Sequence, residues 1–63
     1  MARKIFTVEF EFVSVRAYGD NYTRTREIKA DNAQDALAVA RAIGFSEFGN
    51  LFTENCVDWR IAA

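Results

Sequence analysis

An alternation of apolar and polar side chains near the start of the chain most constrains the fold. Every second residue from 6 to 12 is apolar and the intervening ones are polar, so that Phe6, Val8, Phe10 and Phe12 alternate with Thr7, Glu9 and Glu11. A period of two residues is typical of a β-strand that buries one face. The sequence therefore predicts a long first strand from about Lys4 to Ala17.

The phase of this alternation changes after Phe12. The apolar positions that follow are Val13, Val15 and Ala17. An extra residue in a strand returns the same face to the core, so the sequence predicts a β-bulge at Phe12-Val13. Gly19-Asp20 then predicts a two-residue hairpin loop, because glycine accepts positive φ.

The second predicted strand runs from about Tyr22 to Ala30, and the bulge sets its register against the first. With the bulge, the opposed pairs are Phe10–Ile28, Val8–Ala30 and Glu9–Lys29. Two apolar pairs and one ion pair favour this register, since each cross-strand pair contributes about 0.2–1 kcal/mol. The same register places Glu11 opposite Glu27, and this pair of like charges is an argument against that register.

A helix is predicted from about Asn32 to Ile43. Asp31 is a candidate N-cap, with Gln34 three residues later in the capping-box position. One apolar stripe follows helical spacing and consists of Ala33, Ala36, Leu37, Ala40 and Ile43. Gly44 predicts a left-handed helix terminator.

The end of the chain predicts a connection and a third strand. Residues 46–55 read as a connection with one helical turn, whose apolar residues Phe48, Leu51 and Phe52 cover the sheet edge. The last strand, about Cys56 to Ala62, alternates again. Its predicted inward residues are Val57, Trp59 and Ile61, and its outward residues are Asp58 and Arg60.

These elements predict an α+β fold of order β-β-α-β. The fold is a three-stranded sheet with one helix packed on one face, and its long N-terminal hairpin carries a bulge. The third strand should run parallel to the second and pair antiparallel to the first. Sixty-three residues allow one domain, 1–63.

The composition excludes most chemistry. The chain has no histidine, the commonest general base, and its one cysteine forms neither an internal disulfide nor a structural zinc site alone. An enclosed pocket for a small-molecule substrate would hollow out so small a core. The sequence therefore predicts a protein that is not an enzyme and has no metal or cofactor. No apolar run approaches the roughly 20 residues of a membrane span, and no secretory signal is evident, so the predicted location is cytoplasmic.

The predicted hairpin is longer than the helix that covers it. At roughly 3.3 Å per residue the first strand spans about 45 Å, whereas the helix spans about 18 Å. The distal half of the hairpin would then expose Val13, Val15, Ala17, Tyr22, Arg24 and Arg26 on one face. Tyrosine and arginine are enriched at protein interfaces, so this surface, together with Tyr18, is the predicted partner-binding site. In the alternative interpretation, residues 46–55 fold over it or the bulge coils the hairpin onto the helix.

Two other partner classes are alternatives, and the first of them, single-stranded nucleic acid, uses the same arginines. Basic and aromatic residues, as in single-strand binders, gather at this end of the hairpin: Arg3, Lys4, Arg16, Arg24 and Arg26 with Tyr18 and Tyr22. A net charge of −1 and the nearby carboxylates oppose binding to phosphate, so nucleic acid ranks behind protein. Self-assembly into a homodimer through an open strand edge is the third alternative.

The segment from Ile28 to Ala40 (IKADNAQDALAVA) carries a family resemblance. A strand ending in Ile-x-Ala, an acidic cap and an Ala-Leu-x-x-Ala helix within a β-β-α-β chain resemble small phage-encoded accessory proteins. Among these are the podovirus inhibitors of host bacterial RNA polymerase; some small anti-CRISPR proteins and HicB antitoxins share the same strand-to-helix segment.

The resemblance implies a protein that binds and occludes a host macromolecular enzyme, RNA polymerase or a defence complex, in the bacterial cytoplasm. In the polymerase inhibitors, basic residues on the last strand contact the host enzyme. Arg60 matches that position and joins the candidate partner-binding residues, whereas Asp58 departs from the pattern.

Overall fold

The computed structural model describes residues 3–14 and 20–62, which form a sheet covered on one face by helical segments. The strands are β1 (Lys4–Val13), β2 (Asn21–Ala30) and β3 (Cys56–Ile61). They lie in the order β2-β1-β3, and β1 is antiparallel to both neighbours. The helical segments are α1 (Ala33–Ile43), a π-helical turn (Gly44–Phe48) and α2 (Asn50–Asn55). The predicted α+β class and the antiparallel pairing of β3 with β1 are confirmed.

The core lies between the sheet and the helices, as the period of two in β1 requires. Val8, Phe10 and Phe12 are completely buried, and from α1 the buried side chains are Ala36 and Ala40. The small alanines let α1 lie close to a sheet that carries large phenylalanines. The buried cluster consists of Val8, Phe10, Phe12, Ile28, Ala30, Ala36, Ala40 and Phe52.

The register between β1 and β2 differs from the predicted one. Phe10 lies opposite Arg24, Val8 opposite Arg26 and Phe6 opposite Ile28, without interruption along the two strands. The predicted pairs of Phe10 with Ile28, Val8 with Ala30 and Glu9 with Lys29 are wrong. The observed register avoids the facing carboxylates, because Glu11 lies opposite Thr23 and accepts a 2.6 Å hydrogen bond from Asn21 Nδ2.

The bulge lies on the other side of β1. The pairing of β1 with β3 shifts between Glu11 and Phe12, which lie opposite Asp58 and Cys56, and Val57 is the extra residue. The prediction of a bulge at Phe12-Val13 within the hairpin is therefore wrong. So is the predicted inward position of Val57, whose side chain is 53% exposed, whereas Trp59 and Ile61 pack against the core as predicted.

β1 and β2 are paired as far as Val13 and Asn21, which lie opposite each other. The predicted two-residue loop at Gly19-Asp20 includes Gly19, which lies outside the described residues. As described, β1 ends at Val13. The predicted continuation through residues 15–17 lies outside the described residues.

α1 has nearly the predicted bounds, but both of its predicted caps are wrong. Asn32 is the N-cap instead of Asp31, and its Oδ1 accepts a 2.8 Å hydrogen bond from the backbone N–H of Asp35. Gly44 has a right-handed φ of −57°, so the chain continues into the π-helical turn. Among the described residues, the glycine with positive φ is Gly49, at 56°, where the π-helical turn ends.

Residues 44–55 extend the helical layer over the distal half of β1. The Phe48 ring lies 5.3 Å from Phe10 and 5.1 Å from Phe12, and the Phe52 ring lies 5.2 Å from Trp59. The prediction that these residues cover the sheet edge is only partly correct, because Phe48 packs on the central strand, Phe52 packs on both the central strand and the edge strand β3, and Leu51 is exposed. At 1.5 Å per residue α1 spans only about 17 Å, so the π-helical turn and α2 supply the missing cover.

Candidate partner-binding surface

The structure brings three of the predicted site residues together on β2. Tyr22, Arg24 and Arg26 alternate along the strand on its helix-facing side, opposite the buried side chains of β1. We refer to these three residues as the arginine surface. The prediction that Val13 shares this face is wrong, because without a bulge in the hairpin its odd position points to the opposite face. Val15 and Tyr18 lie outside the described residues.

The aromatic end of the arginine surface is held by the core. The Tyr22 ring stacks on the completely buried Phe12, with centroids 5.4 Å apart and 26° between the planes. The guanidinium carbon of Arg24 lies 5.1 Å from the centroid of the Tyr22 ring. The result is a continuous stack of three side chains, in which buried Phe12 supports the half-buried ring of Tyr22 and that ring supports the exposed guanidinium of Arg24.

Arg26 is occupied by the chain itself. Its Nε donates a 2.7 Å hydrogen bond to Glu47 Oε1, and its guanidinium carbon lies 4.9 Å from the centroid of the Phe48 ring. Phe48 in turn packs on Phe12. The alternative interpretation, that the segment after the helix folds over the hairpin, is thus correct for the part of the surface around Arg26.

Arg24 differs from the other arginines of the sheet in its charge environment. Among the described residues, no carboxylate lies within ion-pair distance of Arg24, whereas Arg26 pairs with Glu47 and Arg60 pairs with three acidic residues. Its Nη1 donates a 2.9 Å hydrogen bond to the carbonyl of Thr23, the preceding residue. Arg24 is therefore the exposed and electrostatically uncompensated member of the arginine surface.

Arg60 lies on the other face of the sheet, in a cluster of carboxylates. Its Nη2 contacts Glu9 Oε1 at 2.8 Å, and its Nη1 contacts Glu11 Oε1 at 2.9 Å and Asp58 Oδ2 at 3.1 Å. The neighbouring acidic groups raise the pKa of Arg60 above its ordinary value, and the hydrogen bond to Glu11 is the main cause. Three intramolecular partners leave Arg60 less available to a binding partner than Arg24.

Hydrogen bonds from Asn21 and Arg60 lower the pKa of Glu11. The hydrogen bond from Asn21 is the largest cause, followed by the hydrogen bond from Arg60. A carboxyl whose pKa is lower in the folded than in the unfolded state stabilises the fold above its unfolded-state pKa. That stabilisation is lost as the pH falls through the lowered, folded-state value.

Glu11→Gln is therefore expected to flatten the acid limb of the stability profile. Urea unfolding should show the wild type losing stability steadily below about pH 4, near the ordinary pKa of glutamate, while E11Q loses less over the same interval. Glu27→Gln, on the same face but without an ion pair among the described residues, is the matched control and should follow the wild type. Parallel acid limbs for E11Q and wild type would contradict the assigned role of Glu11.

Cys56 has a thiol that the fold does not activate. Partial burial raises the pKa of this thiol, and Sγ donates a hydrogen bond to the carbonyl oxygen of Asp58, 3.3 Å away.

Metal ions and small molecules are the other ligand classes to consider. Within residues 3–14 and 20–62 no three His, Cys, Asp or Glu side chains form a group suited to hold a metal ion. A surface depression of about 270 Å³ lies between the start of β1, the end of β2 and α1, and is lined in part by Arg3, Asp31 and Asp35.

None of the helices in the described part of the chain combines the length and the apolar character needed to cross a bilayer. No protein-family model, curated protein or solved structure matches the chain.

The ion pair of Arg26 with Glu47 was not predicted from the sequence, although the alternative interpretation placed residues 46–55 over this surface. Glu47 lies 21 positions from Arg26 in the chain, so no local spacing connects them. One available signal was the run Thr23-Arg24-Thr25-Arg26, in which charged residues alternate on the face that should be buried. Inward-pointing charges are typical of edge strands, and β2 is an edge strand.

Proposed function

We propose that this protein is a non-enzymatic interaction module that binds a larger host protein or complex through the arginine surface and occludes it. The stack of Phe12, Tyr22 and Arg24 supports this proposal. Tyrosine and arginine are the residue types most enriched among interface hot spots. A side chain that is already held in place loses less conformational freedom on binding, which favours affinity.

The single observation that carries the proposal is the position of Arg24. Its guanidinium is exposed, lies over an aromatic ring, and has no carboxylate partner among the described residues. A cation in this position gains an electrostatic partner on binding without breaking an ion pair within the fold. Arg26 and Arg60 would each lose existing intramolecular contacts.

The resemblance of the strand-to-helix segment to phage-encoded inhibitors supports the choice of partner class. Such proteins act by covering part of a larger machine, and this chain has the same layout and size class. Host RNA polymerase or a defence complex is therefore the proposed target, in the bacterial cytoplasm. Binding by the arginine surface replaces the role that the resemblance assigns to Arg60.

Arg24→Ala is expected to reduce capture of the host target at least tenfold while the thermal midpoint stays within about 2 °C of wild type. Replacing Tyr22 or Arg26 would be less informative, because Tyr22 packs on Phe12 and Arg26 covers Phe48. A loss of capture by those variants could come from a loss of stability. The measurement is quantitative capture from nuclease-treated bacterial lysate by tagged protein, with RNA polymerase subunits detected directly.

Arg41→Ala is the matched control for this experiment. Arg41 is also exposed, lies 5.4 Å over an aromatic ring, Phe45, and has no ion pair among the described residues, but it lies on α1. R41A should capture as much target as the wild type. Equal capture by wild type and R24A would refute the proposal. Capture that disappears after nuclease treatment and falls log-linearly with salt would assign the surface to nucleic acid instead.

A further inference from the structure

β2 is a long edge strand whose outer side is not paired with another strand. It spans Asn21–Ala30, and its only strand neighbour in the described sheet is β1. At roughly 3.4 Å per residue this edge is about 34 Å long. It contains neither proline nor a bulge in its pairing with β1, two devices that commonly block an edge.

The hydrogen bonds of β1 identify which backbone groups of β2 point outward. The N–H of Ala62 donates a 2.8 Å bond to the carbonyl of Thr7, so odd-numbered residues of β1 face β3. Because the direction alternates along a strand, even-numbered residues of β1 bond to even-numbered residues of β2. The N–H and C=O groups of the odd-numbered residues of β2 therefore point away from the sheet: Asn21, Thr23, Thr25, Glu27 and Lys29.

The two arginines cover part of this outward row. Arg24 Nη1 donates a 2.9 Å hydrogen bond to the carbonyl of Thr23, and Arg26 Nη1 donates a 2.7 Å bond to the carbonyl of Thr25. Both guanidinium groups are thus bent back along the edge. They satisfy two outward carbonyls that an added strand would otherwise bond through its own N–H groups.

A second copy of this edge is a poor occupant. Two antiparallel registers would pair nine residues of β2 with its copy while bonding outward groups to outward groups. One of them places Arg24 opposite Arg26, and the other places Arg26 opposite Arg26. Like charges directly opposite each other destabilise a strand pair.

We propose that the β2 edge binds an extended acidic segment of the partner as a fourth strand of the sheet. This inference rests on the proposed function and names the partner chemistry. An added strand with carboxylates at two alternate positions places them beside Arg24 and Arg26. Arg24 has no ion pair among the described residues and gains a partner outright, whereas the carboxylate beside Arg26 shares that guanidinium with Glu47, which bonds to its Nε. The incoming carboxylates draw the guanidinium groups from the carbonyls of Thr23 and Thr25, which then accept backbone N–H groups of the added strand.

The experiment uses the full chain and a synthetic peptide of about nine residues. The peptide alternates glutamate with threonine or valine, and binding is followed by ¹⁵N spectra and amide hydrogen exchange. In the free protein the N–H groups of Thr23, Thr25 and Glu27 should exchange quickly. Saturating peptide should slow them at least tenfold and leave Arg24 and Arg26, whose N–H groups bond to β1, little changed.

Two modified peptides test the two parts of the interaction. Lysine in place of glutamate removes charge complementarity, and N-methylation of alternate amides removes the backbone donors while keeping the charge. Each change should weaken binding at least tenfold. R24A should weaken binding of the acidic peptide to a similar extent, whereas R41A should bind it like the wild type.

The outcomes separate this inference from the proposed function. Binding that survives N-methylation, or that protects no outward amide, would overturn the fourth-strand mode. If R24A abolishes capture of the host target but the acidic peptide neither binds nor competes, the inference fails and the interaction module stands. An oligonucleotide that protects the outward amides better than the peptide would also overturn the inference.

Discussion

Phe10→Ala is expected to leave much of the protein unfolded at 25 °C. Phe10 is completely buried in the central strand, and its ring packs edge-on against Phe48 at 5.3 Å and Phe52 at 6.2 Å. Truncating a buried phenylalanine costs about 3–5 kcal/mol. At roughly 0.05–0.15 kcal/mol per residue, a 63-residue domain has a total stability of about 3–9 kcal/mol.

Urea unfolding followed by far-UV circular dichroism measures this loss, and Phe45→Ala is the matched control. The Phe45 ring also contacts Phe52, at 4.9 Å, but its side chain is 46% exposed. F45A should therefore cost far less, about 1 kcal/mol, because an exposed ring loses less burial and leaves no cavity. Equal costs for F10A and F45A would contradict the placement of Phe10 at the centre of the interior.

The elements of this fold could be predicted because local periodicity determines them. The alternation through Phe10 predicts β1, and the alanine stripe that includes Ala36 and Ala40 predicts α1. The register between β1 and β2 could not be predicted in the same way. It depends on where Arg24 and Arg26 find space over Tyr22 and Phe48, and Phe48 belongs to a segment distant in sequence.

The part of the candidate site that could be predicted is the part that follows from the alternation of side chains along a single strand. Tyr22, Arg24 and Arg26 share a face in any regular strand, so their grouping is independent of the register. Val13 was grouped with them only because a bulge was predicted in the hairpin. The bulge instead lies in the pairing of β1 with β3, so Val13 is on the opposite face of the sheet. The carboxylates around Arg60 follow from the pairing of β1 with β3, which the sequence predicted in direction but not in register.

Gly44 shows how a glycine can be located from sequence while its physical role is missed. A glycine after a helical stripe predicts a left-handed cap, but among the described residues the glycine with a positive φ is Gly49, at the end of the π-helical turn. At Gly44 the backbone is right-handed, so a residue of any type could adopt its backbone conformation. Gly44 is also buried. The constraint is space, because a Cβ atom there would overlap Cδ1 and Cε1 of the Phe52 ring.

Gly44→Ala is therefore expected to destabilise the protein by about 1–3 kcal/mol, the usual cost of overpacking a core. Helix propensity alone would predict the opposite sign, since alanine is favoured over glycine in a helix by about 1 kcal/mol. The sign of the change in unfolding free energy thus decides between conformational and steric control. Urea or thermal unfolding of G44A against wild type measures it.

A double-mutant cycle with Phe52→Leu identifies the ring as the cause. A smaller side chain at position 52 leaves room for the added methyl group, so G44A should cost at least 1 kcal/mol less in the F52L background than in the wild type. Gly49→Ala is the control, because its Cβ would meet nothing within 4 Å and its penalty comes from a φ of 56°. That penalty should be the same in both backgrounds to within about 0.5 kcal/mol. A G44A variant that is more stable than wild type, or whose cost is unchanged by F52L, would contradict the close approach of Gly44 to Phe52.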